Sequence, residues 1–154
     1  MTAMPAVPAV PAVRREVHVD VPPDVAFRLF TEHLGEWWPL GDFSVFGDGT
    51  VAFEGDRVVE RSGERVSVWA EVTAWDPPGS LRLAWHPGAD AADATDVGFS
   101  FRPAGAGTLV VVVHAGWERR GDAAAAAEEY GRGWPRVLAR LAAHSNASPS
   151  ERGR

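Results

Sequence analysis

The chain has 154 residues, no cysteine, and a formal net charge of -6. That length is one domain's worth and buries about 70% of its unfolded surface without staples. The missing cysteines exclude a disulfide framework and thiolate chemistry, and the acidic balance argues against nucleic acid as a main partner. No apolar run approaches the roughly 20 residues of a membrane span, and the N-terminus lacks a basic-then-apolar signal pattern. The expected address is therefore cytoplasmic. All basic side chains other than histidine are arginine, which reads as genomic composition bias.

Residues 1–13, MTAMPAVPAVPAV, repeat Ala-Val-Pro. Proline this dense blocks helix and ladder alike, so a disordered or extended arm is expected, with a docking peptide as the functional alternative. The folded domain is placed at 14–144. From Arg14 to Val21 valines alternate with Glu16, His18 and Asp20, the pattern of a half-buried strand. Pro22-Pro23-Asp24 opens a helix whose apolar face is Val25, Ala26, Phe27, Leu29, Phe30 and Leu34, and Gly35 is expected to end it. Trp37 and Trp38 are adjacent, so on a regular element one packs and the other lines a rim or cavity.

Gly41 to Gly49 reads as loop. Strands follow over 51–54, 57–61 and 65–75, joined by Gly55-Asp56 and Ser62-Gly63 as turns. Pro77-Pro78-Gly79 is a break. Leu81, Leu83 and Trp85 alternate with polar residues in the next strand, as do Val97, Phe99 and Phe101 in the one after. The last strand is expected from Thr108 to Trp117. Parity along the third of these strands puts Trp69 with Ser67, Glu71 and Thr73 on the outer face.

A final helix opens near Asp122 with a run of alanines, the best helix formers. Tyr130, Trp134, Val137, Leu138 and Leu141 share one face, and Arg132, Arg136 and Arg140 the other. Pro135 removes the hydrogen bond to the carbonyl of Gly131, so a kink is expected there. Residues 145–154 are polar and read as a disordered tail. Hairpin-length connections make the sheet antiparallel. The fold class is α+β, with a curved antiparallel sheet of six to seven strands wrapped around a long C-terminal helix.

The phrases VPPDVAFRLFTEHLGEWWPL (21–40), VWAEVTAWDPPGSLRLAW (68–85), VGFSFRPAGAGTLVVVVHAGW (97–117) and GWPRVLARL (133–141) stand in register. Together they resemble the START-like (SRPBCC, Bet v 1-like or helix-grip) superfamily, and within it the group related to the activator of Hsp90 ATPase. The family often has a histidine where this chain has Phe43, which removes a polar role there. The resemblance also orients the last strand, whose apolar run 109–113 has no periodicity of its own. It implies that Val110, Val112 and His114 face the concave side, with Leu109, Val111 and Val113 on the convex side. An apolar convex face points to a partner or a homodimer contact.

Catalytic signatures are sparse. There is no Gly-x-Ser-x-Gly, no phosphate-cradling glycine loop, and the histidines at 18, 33, 86, 114 and 144 are scattered, so no metal or cofactor is expected. Tryptophan is abundant, with seven in the chain. Core packing accounts for most of them. The functional reading is an apolar cavity between sheet and helix. Its expected walls are Trp85, Phe99, Phe101, Val110, Val112, His114, Trp117 and Trp134, closed near Trp37 and Trp38. A buried histidine is more often a satisfied structural one than a base, and His114 is at the same time the best candidate for a pH-sensitive anchor. The occupant expected is a small hydrophobic or aromatic molecule, such as a fatty acid, sterol or aromatic polyketide, bound without catalysis. The alternatives implied by the resemblance are an Hsp90-type co-chaperone, hence a protein-interaction module, and a polyketide cyclase or aromatase-like enzyme.

Overall fold

A computed structural model describes residues 10–39, 41 and 43–146. The arm as far as residue 9 and the tail from residue 147 therefore lie outside the described residues. Strand β1 (Val13–Val19) is followed by helices α1 (Pro23–Thr31) and α2 (Leu34–Trp37). A meander follows: β2 (Thr50–Glu54), β3 (Arg57–Ser62), β4 (Arg65–Asp76), β5 (Ser80–Trp85), β6 (Thr95–Ala104) and β7 (Gly107–Ala115). The chain ends on α3 (Ala123–Ser145). The seven strands form one antiparallel sheet in the order β1-β7-β6-β5-β4-β3-β2. Hairpins build six neighbours in succession, and β1 closes the far edge by pairing with β7. The core lies on the concave side, where α3 packs along β1 and α1 along β6 and β7.

The two ends of the folded chain reach slightly further than the sequence indicates. β1 begins at Val13, the last residue of the expected arm, and Val10 packs against the core. At the other end Ser145 is the buried last residue of α3, its Oγ donating to the Leu141 carbonyl. Asn146 caps the helix, and its Oδ1 accepts a 2.7 Å bond from the Asp20 amide.

Gly35 does not end α1. It sits inside α2, where a Cβ would stand 2.7 Å from the Val51 carbonyl oxygen. The glycine lets α2 approach the β2 backbone, and α1 has already ended at Thr31. Both members of the Trp37-Trp38 pair are buried. The helix stops between them: Trp38 leaves it with φ -59° and ψ 130°, which turns its ring inward independently of Trp37. Their indole N–H groups donate to the carbonyls of Phe43 (Trp38) and Leu29 (Trp37).

Strand parity fails at Trp69, which is 1% exposed rather than outward-facing. Val58 stands opposite Ala70 and Val59 opposite Val68, so the register skips Trp69. An extra residue of this kind re-aims a side chain. Here it sends the indole into the core, 5.4 Å from Trp38 and 6.0 Å from Trp85, with Nε1 donating to the buried Glu60 carboxylate at 3.1 Å. Trp75, near the end of the same strand, meets Phe27 of α1 and is half exposed.

The last strand ends at Ala115, two residues early, because Gly116 turns the chain at φ 82° and Trp117 opens a 3-10 turn. On the convex face Val111 is covered, at 6% exposure, Leu109 is half-buried and Val113 is open. Glu16 and Ser100 flank Val111 in the sheet. Beside it Arg82 folds across Gly98, which has no side chain to keep the arginine stem away. The expected apolar convex patch is therefore reduced to Val113 and part of Leu109.

Candidate functional site

Helix α3 presents Ala126, Glu129, Tyr130, Gly133, Trp134 and Val137 on one stripe, at intervals of three and four residues. This stripe forms one wall of a cavity of about 220 Å³. Trp85 and Pro87, at the end of β5, form the opposite wall. Trp38 and Phe43 close a third side, and Arg120, just ahead of α3, stands at the polar end. The rings are in contact: Trp85 to Trp134 is 5.5 Å between centroids, Trp38 to Trp134 6.3 Å, and Tyr130 stacks on Trp134 at 6.0 Å. Gly133 is part of this design. A Cβ there would meet the Phe43 ring at 3.4 Å, so the missing side chain lets a loop aromatic lie over the helix.

The polar groups of the cavity are held in place. Trp85 Nε1 donates to the Tyr130 hydroxyl at 3.1 Å. Burial pushes the Tyr130 phenol above its ordinary pKa, so it keeps its proton. The Arg120 guanidinium is paired with both oxygens of Asp122, at 2.7 and 2.9 Å, which raises its pKa further. Arg120 therefore reaches the cavity as half of an ion pair, beside a neutral hydroxyl and with Glu129 on the same wall.

His114 does not reach the cavity wall. It lies behind Trp134 and Tyr130, fully buried, and both ring nitrogens are used. An indole N–H only donates, so the 3.0 Å contact from Trp134 Nε1 makes Nδ1 the acceptor. Nε2 then carries the proton and donates to Thr95 Oγ1 at 2.6 Å, and Thr95 donates onward to the Trp85 carbonyl at 3.3 Å. Burial, followed by the nearby charge of Arg120, lowers the His114 pKa to about 3. A neutral imidazole locked between two partners is not a pH-sensitive anchor near neutrality. It fixes the angle of the Trp134 wall. Trp117 covers it, 4.0 Å between ring centroids, and the buried Trp117 Nε1 has no hydrogen-bond partner among the described residues.

Of the ten residues that the sequence points to, Trp38, Trp85 and Trp134 line the cavity. Trp37, Phe99, Phe101, Val110 and Val112 are core beneath it, while His114 and Trp117 form a layer behind it. Tyr130 and Val137 were within reach of sequence reasoning, since they share the helical phase of Trp134. Phe43, Pro87 and Arg120 come from connections and carry no periodic signal. Among the described residues, no group of three or more His, Cys, Asp or Glu is arranged to hold a metal ion, and no helix is long and apolar enough to cross a membrane.

Residues 20–146 match the family model described as "Activator of Hsp90 ATPase homolog 1-like protein". The chain belongs to that family. The curved seven-stranded sheet around α3 is the family's helix-grip fold, and solved relatives share it. A Mesorhizobium loti protein is 24% identical over 84% of this chain and 93% of its own, with a TM-score of 0.63. The Aha1 dimer from Colwellia psychrerythraea is 16% identical over 91% of this chain and 99% of its own, with a TM-score of 0.66. An anthrahydroquino-gamma-pyrone synthase, solved as a complex, is 26% identical over 87% of this chain and 96% of its own, with a TM-score of 0.55. No curated protein matches the sequence. Members of this family share a ligand-binding type of domain, and in this chain the aromatic cavity is where the fold leaves room.

Proposed function

We propose that the protein binds a small aromatic molecule in the cavity between α3 and the end of β5, without catalysing a reaction of its own. The observation that carries this reading is the aromatic stripe of α3 facing Trp38 and Trp85 across an open space, with Arg120 at its polar end. The size narrows the class. A cavity of about 150 Å³ holds benzene, and pockets for drug-sized ligands run from about 300 to 1,000 Å³. At about 220 Å³ the space suits one or two rings rather than a sterol or a tetracyclic polyketide. The Tyr130 hydroxyl, the Arg120–Asp122 pair and Glu129 favour a ring bearing a hydroxyl group or another neutral polar substituent.

The lining gives little support to acid–base chemistry. Arg120 is tied to Asp122, Tyr130 holds its proton and His114 is out of reach, which leaves Glu129 as the one carboxylate on the wall and no second group to work with it. The second reading is a cyclase-type enzyme, favoured by the 26% identity to a synthase.

Tryptophan fluorescence titrated with one- and two-ring phenols and other neutral polar aromatics tests the proposal, with fatty acids, sterols and tetracyclic polyketides as the larger arm. Saturable quenching by the small class is expected, and Gly133→Leu, which fills the cavity, should weaken it at least tenfold while the circular dichroism stays native. No saturable binding across the panel overturns the reading in favour of a protein-interaction role. Turnover of a bound compound, followed by mass spectrometry, would favour the enzyme.

A further inference from the structure

A second opening lies between α1 and the last residues of β4, away from the cavity. Trp75 stands in it, 50% exposed, the one exposed aromatic side chain among the described residues. Phe27 meets it edge-on at 5.2 Å and Phe53 at 6.2 Å. With Pro77 they line a groove of about 480 Å³, rimmed by Arg28 and Glu32. A half-exposed indole held by two phenylalanines is a preformed aromatic shelf, and the domain's own fold leaves it uncovered.

The sequence contains a segment suited to such a shelf. Pro5, Pro8 and Pro11 recur every third residue, with alanine and valine between them and no charged side chain from Met1 to Val13. A polyproline II helix has three residues per turn, so these prolines fall on one edge. Aromatic-lined grooves take proline-rich segments in this form, at low ordering cost because the conformation is already populated.

Within one molecule the Pro5–Pro8 stretch falls short of Trp75. Val10 is seated on the core and β1 starts at Val13. Between β1 and β4 lie β7, β6 and β5, a separation of four strand spacings or about 19 Å. Helices α1 and α3 lie across the path on the concave side. At about 3.1 Å per residue, Pro8 extends about 6 Å from Val10 and Pro5 about 16 Å. We propose that the Pro-Ala-Val-Pro segment of one copy docks on the Trp75 groove of a second copy. A reciprocal exchange gives a closed two-fold dimer with two arm–groove contacts.

Sedimentation velocity over a concentration series tests this, using the full chain, a chain lacking residues 1–9, and Trp75→Ala. The full chain should pass from monomer to dimer as concentration rises, and each variant alone should stay monomeric. Mixing the two variants should restore a weaker dimer held by one of the two contacts, because one supplies the arm and the other the groove. Trp75→Ala uncovers Phe27 and Phe53 and can unsettle the fold. The double variant Pro5→Glu, Pro8→Glu leaves the described domain untouched and should abolish the dimer by itself. A full chain that remains monomeric at the highest concentration overturns the proposal. So does a dimer that survives loss of residues 1–9, or one lost with the arm but kept in Trp75→Ala.

Discussion

Arg15 Nε donates a 3.1 Å hydrogen bond to the carbonyl oxygen of Gly131. Pro135 is the cause. Having no N–H, it leaves the carbonyl four residues earlier without its helical donor. α3 nevertheless runs unbroken from Ala123 to Ser145, because β1 supplies the missing donor. The absent side chain at 131 makes the approach possible: a Cβ there would stand 3.0 Å from an Arg15 guanidinium nitrogen. A helix defect and a strand arginine thus lock α3 to the edge of the sheet.

Arg15→Met should accordingly destabilise the fold by about 1 kcal/mol, the typical worth of one such bond. In a Pro135→Ala background the restored amide serves Gly131 instead, and the same substitution should cost less. A coupling of at least about 0.5 kcal/mol in the double-mutant cycle, read from urea unfolding, is the expected result. Strict additivity would show that the two residues are unrelated.

His114 makes stability fall in acid. Above about pH 6.5 the imidazole is neutral in both the folded and unfolded chain, so it adds no slope. Between 6.5 and about 3 the unfolded chain takes up a proton that the folded chain refuses. Stability should then drop by about 1.4 kcal/mol per pH unit from this group. His114→Gln should be about 1–3 kcal/mol less stable at pH 7, because one of Trp134 and Thr95 loses its partner, and its acid slope should be shallower by the amount stated. Equal slopes for wild type and variant between pH 7 and 5 would remove His114 from the account.

Glu60 is a buried carboxylate that holds a loop. Its oxygens accept from the amides of Val45 (2.7 Å) and Phe46 (3.1 Å), besides Trp69 Nε1. Glu60→Gln puts an NH2 group where a donor already points, and a loss of roughly 3 kcal/mol is expected. Hydrogen exchange at the Val45 and Phe46 amides should quicken more than in the core strands. Since the same loop carries Phe43, ligand release should quicken as well.

A helical glycine usually gives way to alanine with a gain of about 1 kcal/mol. Gly35→Ala should do the opposite, since its methyl would press on the Val51 carbonyl. A thermal midpoint lowered by several degrees is expected, whereas a raised one would mean that α2 and β2 separate without penalty.

The sheet was legible because each hairpin is marked by glycine or proline and several strands by alternation, while the last was oriented by the family resemblance alone. Val97, Phe99 and Phe101 face inward as their period of two requires. Trp69 was not legible, since a skipped register inverts parity and leaves no trace in the residues themselves. The role of Gly35 was misread for a related reason: a terminator and a close-approach glycine look alike until the facing backbone is known. In the cavity, the α3 wall followed from helical phase, but Phe43 and Arg120 arrive from connections whose paths depend on Glu60 and Asp122. Of the two roles open to His114 in the sequence, the structure favours the structural one, because burial decides its charge and both ring nitrogens are taken.

The tryptophans also make the domain an optical instrument. Trp38 lies within 6.3 Å of Trp37, Trp69, Trp85 and Trp134, and Trp69 and Trp134 each touch Trp85. At such separations the indole transition dipoles couple, so light absorbed by any of the five is shared before it is emitted. One quencher in the cavity therefore darkens the whole set, and near-ultraviolet circular dichroism should carry an exciton couplet that Trp38→Phe weakens, with the Trp69–Trp85–Trp134 contacts left in place. Trp75, in contact with phenylalanines alone, should keep a separate, red-shifted emission that reports on the other end of the molecule.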